Sequence, residues 1–146
     1  MTPSIRTSLG LAILRVALGI IFLAHGWQKI TEFTLSGTTE AFRGMGVPLP
    51  ELVGPAVAIL ELVGGAALIL GLATRVFGAL LAADMLGALI FVHASAGIFV
   101  DAGGYELVLA LAAGGVALAL TGPGAFALDH PISTRLRARR AETPAS

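Results

Sequence analysis

Gly10-Leu-Ala-Ile-Leu-Arg15-Val-Ala-Leu-Gly19-Ile-Ile-Phe22-Leu-Ala-His25-Gly26-Trp-Gln-Lys29 is long enough to cross a bilayer, since about 20 apolar residues rising about 1.5 Å each span the hydrocarbon. Arg15 nevertheless lies inside it, and His25, Gln28 and Lys29 close it. With Arg15 at zero and about 100° per residue, Gly19, Phe22, Gly26 and Lys29 fall within roughly 40° of it. One stripe therefore holds a buried cation, two glycines and a terminal cation, while the rest of the helix is aliphatic. An arginine at depth costs about 2.5–3.5 kcal/mol or more unless it faces protein or water, so this helix must have partners.

Composition agrees with that reading. The 146 residues are 56% apolar and 12% charged, with a mean hydropathy of +0.91. Soluble chains carry roughly 25% charged residues, so this sequence has too little polar surface for a soluble domain and reads as an integral membrane protein. The length fits one helical bundle. Zero net charge sets nucleic acid aside as a partner. The absence of cysteine removes disulfides, thiol redox chemistry, iron–sulfur clusters and cysteine zinc sites, and no metal site is expected. A signal peptide is not expected, because Arg15 interrupts the apolar run, the run continues too far, and no A-x-A site follows it.

Outward from the first helix, the expected organisation is a cytoplasmic lead over 1–7, four spans within 8–121 and a basic cytoplasmic tail over 122–146. The spans are placed at about 8–28, 51–71, 75–94 and 105–121. The longest connection contains Glu32, Glu40, Arg43 and Gly44-Met-Gly46-Val-Pro48-Leu-Pro50. A short interfacial helix over 38–43, capped by Ser36 or Thr38, is expected there before the glycines and prolines turn the chain. Gly71-Leu-Ala-Thr-Arg75 predicts a tight turn between antiparallel spans. Arg6, Arg75 and the tail residues Arg135, Arg137, Arg139 and Arg140 fall on one side, against Lys29 and Arg43 on the other, which predicts that both termini are cytoplasmic. The predicted class is an all-α, four-helix membrane bundle.

Depth counted along the helices sorts the polar side chains into two layers. Arg15, Glu61 and Asp84 each lie roughly 10–15 Å from a membrane face, near mid-bilayer. His25, Lys29, Asp101, Tyr105 and Glu106 gather at the outer face. One cation against two carboxylates leaves a charge that a shared proton is expected to balance. Intramembrane ionisable residues mark functional sites, although a charged cluster that only fixes helix register is the competing reading. A haem between His25 and His93 is disfavoured, because His93 lies about 180° from Asp84 on a regular helix. No G-x-G-x-x-G, G-x-x-x-x-G-K-[ST] or H-E-x-x-H occurs.

Arg15-x3-Gly19-x2-Phe22-x2-His25-Gly26-x2-Lys29, Gly46-Val-Pro48-x-Pro50, Glu61-Leu-Val-Gly64-Gly65, Leu70-Gly71-Leu72-x-Thr74-Arg75, Asp84, Gly103-Gly104-Tyr105-Glu106, Gly122-Pro-Gly124 and Asp129 occur in that order. Together they resemble the DoxX family of small four-span membrane proteins, over about residues 9–129. Ala125-Phe126-Ala127-Leu128 departs from the family, which often has a basic or aromatic residue and a serine before the aspartate. The resemblance implies a quinone-linked or stress-related redox setting, with the chemistry carried by an oxidoreductase partner. In that reading the chain is an accessory or anchor subunit, quinone is the one ligand implied, and self-association stays open. The alternative is a non-enzymatic membrane scaffold or assembly factor in which Arg15, Glu61 and Asp84 only hold the bundle. A small-solute or proton conductor is a third reading, which four short spans could serve only as an oligomer.

Overall fold

The computed structural model describes residues 4–129 and contains only helices and turns among them. Helix α1 runs Ile5–Thr31, α2 Thr34–Gly44, α3 Pro50–Leu70, α4 Thr74–Ala88 and α5 Glu106–Thr121. Beyond Ala88, α4 continues through a π-helical turn, Leu89–His93, and a 3-10 turn, Ala94–Ala96. Three helical stretches are long and apolar enough to cross a membrane: Ile5–Thr31, Pro50–Leu70 and Thr74–Ala96. Helix α5 is apolar but has 16 residues, about 24 Å of helix. The expected basic tail with Arg135, Arg137, Arg139 and Arg140 lies outside the described residues.

The local signals explain the ends. The Ser4 hydroxyl accepts the Thr7 amide and caps α1. Pro50 opens α3 at a position where its missing N–H costs nothing, and Gly71, at φ +72°, closes it in the left-handed region. Helix α2 is longer than the short interfacial helix expected from 38–43, and neither Ser36 nor Thr38 caps it. Thr38 is buried instead and donates its hydroxyl to Lys29 O at 3.0 Å, which ties α2 back onto α1.

Packing divides the molecule into two tight pairs, α1 with α3 and α4 with α5. In the first pair the stripe Arg15, Gly19, Phe22 and Gly26 is buried against α3. A Cβ on Gly19 would lie 2.7 Å from Gly65 O, and one on Gly26 or Gly65 would collide with the backbone of Leu62 or Leu23. In the second pair a Cβ on Gly78 would come within 2.9 Å of Gly115 O. Lipid tails are as apolar as leucine, so helices in a membrane gain from such close backbone approach rather than from leaving water. Between the pairs, Leu18, Phe22, Leu68, Leu81, Met85 and Leu111 form a shared apolar core.

Leucine at Gly65 is therefore expected to force α1 from α3 and cost about 1–3 kcal/mol. Leucine at Gly10, whose Cβ would meet nothing, should stay within about 0.5 kcal/mol of wild type. Thermal unfolding in mild detergent compares the two, and equal stabilities would refute the close contact.

Candidate functional site

Lys29 leaves the α2 end of α1 and turns back along α3, where its Nζ donates to Glu61 Oε2 at 2.6 Å. The Glu61 side chain is 4% exposed and that of Lys29 18%. A lysine stem can run a full helical turn over apolar surface while its ammonium finds a polar partner, which is how a residue near a helix end meets one at mid-helix. Asp84, on α4, stands close enough for its charge to interact with both Glu61 and Lys29. Its Oδ2 is buried and makes no hydrogen bond among the described residues.

These three groups line a cavity of about 310 Å³. His25, on α1, and His93, on the π turn, face the same space, and Phe22 and Leu111 belong to its apolar wall. On a regular helix His93 would stand opposite Asp84. The wider π turn, roughly 4.4 residues around, advances each residue through a smaller angle and returns His93 toward the Asp84 side. His93 Nδ1–H donates to Gly103 O at 2.7 Å, which leaves the neutral ring with Nε2 as an acceptor.

Arg15 is not part of this cluster. It lies level with Gly71, about 15 Å along α3 from Glu61, where its Nη2 donates to Phe126 O at 2.7 Å. A Cβ on Gly71 would overlap the guanidinium. The residue-count depths placed Arg15, Glu61 and Asp84 in one layer. The structure separates them because α1 and α3 are offset along their common axis and because Lys29, not Arg15, reaches Glu61. The carboxylate acting on Arg15 is Asp129. Asp129 accepts the amides of Ala73 at 2.8 Å and Thr74 at 3.0 Å, and so caps α4 from a distant part of the chain. That cap also supports Ala73, whose φ of +45° is strained for a residue with a side chain. Arg75 closes the neighbouring end by donating to the carbonyls of Ala119, Leu120 and Thr121 at the C-terminus of α5.

The outer-face residues separate as well. His25 and Lys29 line the cavity, whereas Tyr105 packs against the apolar core. Glu106 Oε1 accepts the Val100 amide at 2.8 Å and orders the loop after α4. Sequence reasoning did not foresee Asp129 as a helix cap or His93 as a cavity residue. A cap supplied from 55 residues away carries no local signal, and a π turn has no reliable one.

Lys29→Met is expected to strand a buried carboxylate at a cost of about 3–5 kcal/mol, and adding Glu61→Leu should recover most of it. Arg15→Met and Glu61→Gln should be additive within about 0.5 kcal/mol, as for sites more than 10 Å apart. A larger coupling in a double-mutant cycle of detergent unfolding would place Arg15 back beside Glu61.

Comparison with known proteins extends over both ends of the molecule. The family model described as DoxX matches residues 10–94. A Bacillus subtilis protein named "Putative oxidoreductase CatD" is 38% identical over 121 residues, 83% of this chain and 85% of that protein. The Escherichia coli inner membrane protein YqjF is 31% identical over 126 residues, covering 86% of this chain and 94% of its own. The Escherichia coli inner membrane protein YphA is 30% identical over 125 residues, 82% of this chain and 88% of its own. No solved structure matches significantly. With its apolar helices and these inner-membrane relatives, the chain is a membrane protein that belongs to the DoxX family.

Proposed function

We propose that this protein is a membrane accessory subunit of an oxidoreductase assembly and that its α2-end cavity holds a quinone headgroup for a redox partner. The observation that carries this reading is the cavity itself: about 310 Å³ of mostly apolar space with Lys29, Glu61, Asp84, His25 and His93 on its wall. Ligand sites combine an apolar lining with a few polar groups of this kind. The donor set suits a flat ring with carbonyl oxygens, because the Lys29 ammonium and an N–H of His25 could donate to such oxygens while the apolar walls hold the ring. Asp84 Oδ2, which makes no hydrogen bond among the described residues, would donate to such an oxygen when it carries a proton.

When bound, a quinone would supply a carrier for two electrons and two protons. The chain's own residues bind, orient and handle protons. Glu61 holds the Lys29 ammonium in place. One cation facing two carboxylates leaves room for a proton at Asp84, and the free Nε2 of His93 accepts one. His25, which lines the cavity and is itself exposed, would link the site to the surroundings. The sequence has no cysteine, and among the described residues no group of three or more His, Asp or Glu is placed to hold a metal. Electrons would come from a partner, and the name of the Bacillus subtilis relative fits such a setting.

We further propose four spans with both termini cytoplasmic. Helix α5, at about 24 Å, would be shorter than the hydrocarbon and would draw the bilayer thinner around it. Arg6 and Arg75 would face the cytoplasm, Arg43 the outside, and the cavity would open toward the outer leaflet. A structural scaffold is the second reading. What favours it is the other end, where Arg15, Arg75 and Asp129 bind backbone groups rather than line a cavity.

Mass spectrometry of protein extracted in mild detergent is expected to show bound quinone. A tail-less benzoquinone should bind wild type; Asp84→Leu, which removes a neutral donor, should weaken it about 3–10-fold, and the Lys29→Met/Glu61→Leu pair, which removes a charged donor, about 10–100-fold. Binding that ignores both changes, or none at all, would favour the scaffold. For topology, a cytoplasm-active reporter at Ser146 should work and one inserted at Gly46 should not. The reverse result would invert the orientation.

A further inference from the structure

We infer that the headgroup site is loaded sideways from the membrane, through the gap between α3 and α4, and that its ligand keeps an apolar isoprenoid or alkyl tail in that gap. The inference rests on the headgroup reading above and adds the ligand's second half and its route. Helices α3 and α4 are joined by the short turn at Gly71–Ala73. They meet near that turn, where Gly64 faces Phe77 and Leu81. Taken over their lengths, α3 packs chiefly on α1 and α4 on α5, and α2 also packs on α3, at Gly54. The space left between them is a second cavity of about 250 Å³, walled by Val53 of α3, Ala83, Gly87 and Phe91 of the α4 side, and Val47-Pro48 of the connection.

Three observations connect that groove to the headgroup site. First, the two cavities share Phe42, Val57, Asp84, Ala88 and Val92 as a common wall. Asp84 is the one charged residue among those lining the groove and lines both spaces, and its buried Oδ2 makes no hydrogen bond among the described residues. Second, the π turn serves both spaces with successive residues: Phe91 walls the groove, Val92 the junction and His93 the headgroup cavity. Such π turns recur at functional sites. Third, Ala83 and Phe91 are exposed on the bundle surface, so the groove opens on the side of the molecule that the bilayer covers. Apart from Asp84 its lining is aliphatic or aromatic, which suits a hydrocarbon chain and offers a water-soluble solute nothing to bind. A molecule lying with its polar ring at Lys29, Glu61 and Asp84 and its tail past Gly87 fills both spaces without crossing the bundle core.

Gly87 makes the inference testable. A Cβ there meets nothing within 4 Å, and Gly87 lines the groove but not the headgroup cavity, so Gly87→Leu fills the groove without pressing on backbone. Binding is measured in lipid nanodiscs with a tail-less benzoquinone and with the same ring bearing a decyl chain. Gly87→Leu is expected to weaken or slow binding of the decyl ring about tenfold or more and to leave the tail-less ring within about twofold. Gly10→Leu should change neither. A terminal diazirine on the decyl chain should label peptides containing Val47, Pro48 or Phe91. If Gly87→Leu leaves decyl-ring binding unchanged, or if the label lands on α1 or α5, the lateral groove is wrong while the headgroup site stands. If wild type binds neither ring, both readings fall.

Discussion

The backbone contact between α1 and α3 sets the positions of the other groups. Gly19, Gly26 and Gly65 bring the two helices so close that no Cβ fits at the crossing. In a membrane this contact replaces the gain that burial from water gives a soluble core, so its geometry fixes the register of the pair. With that register set, Arg15 lies level with Gly71 and the Lys29 stem reaches down to Glu61. Two cations on one face of one helix are thereby sent to opposite ends of the bundle, each to a different task.

Those ends differ in how they use charge. At the α3–α4 turn, Arg75 and Asp129 are spent on backbone carbonyls and amides that helix ends leave unpaired, while Arg15 donates through Nη2 to Phe126 O and its Nε and Nη1 find no partner among the described residues. At the α2 end, Lys29, Glu61 and Asp84 line space instead, and one carboxylate oxygen has no partner among the described residues. A buried group with no partner costs free energy in the empty protein, and a ligand that satisfies it recovers that cost on binding. The same imbalance that weakens the structure locally is what suits the site for a polar headgroup.

The π turn is the other departure from regular geometry. It gives up regular i→i−4 pairing over Leu89–His93 and in exchange turns His93 into the cavity, where its ring is fixed by Gly103 O. The loop after it, ordered by Glu106, carries that carbonyl.

The sequence by itself determined the helical class, the membrane habitat and the face of α1 that meets a partner, because apolar length, charge content and a 3.6-residue period are local properties. It also marked Arg15, Glu61 and Asp84 as residues that need company in an apolar setting, and left Lys29 at the outer face. Tertiary structure alone decided which charge meets which. Residue counting places a side chain at the level of its own Cα, whereas Lys29 reaches a full turn away, and the offset between α1 and α3 moves Arg15 to the far end. The cap from Asp129 and the rotation of His93 were likewise outside the sequence's reach. The first joins positions 55 residues apart, and the second depends on a change of helical pitch that only the surrounding packing stabilises.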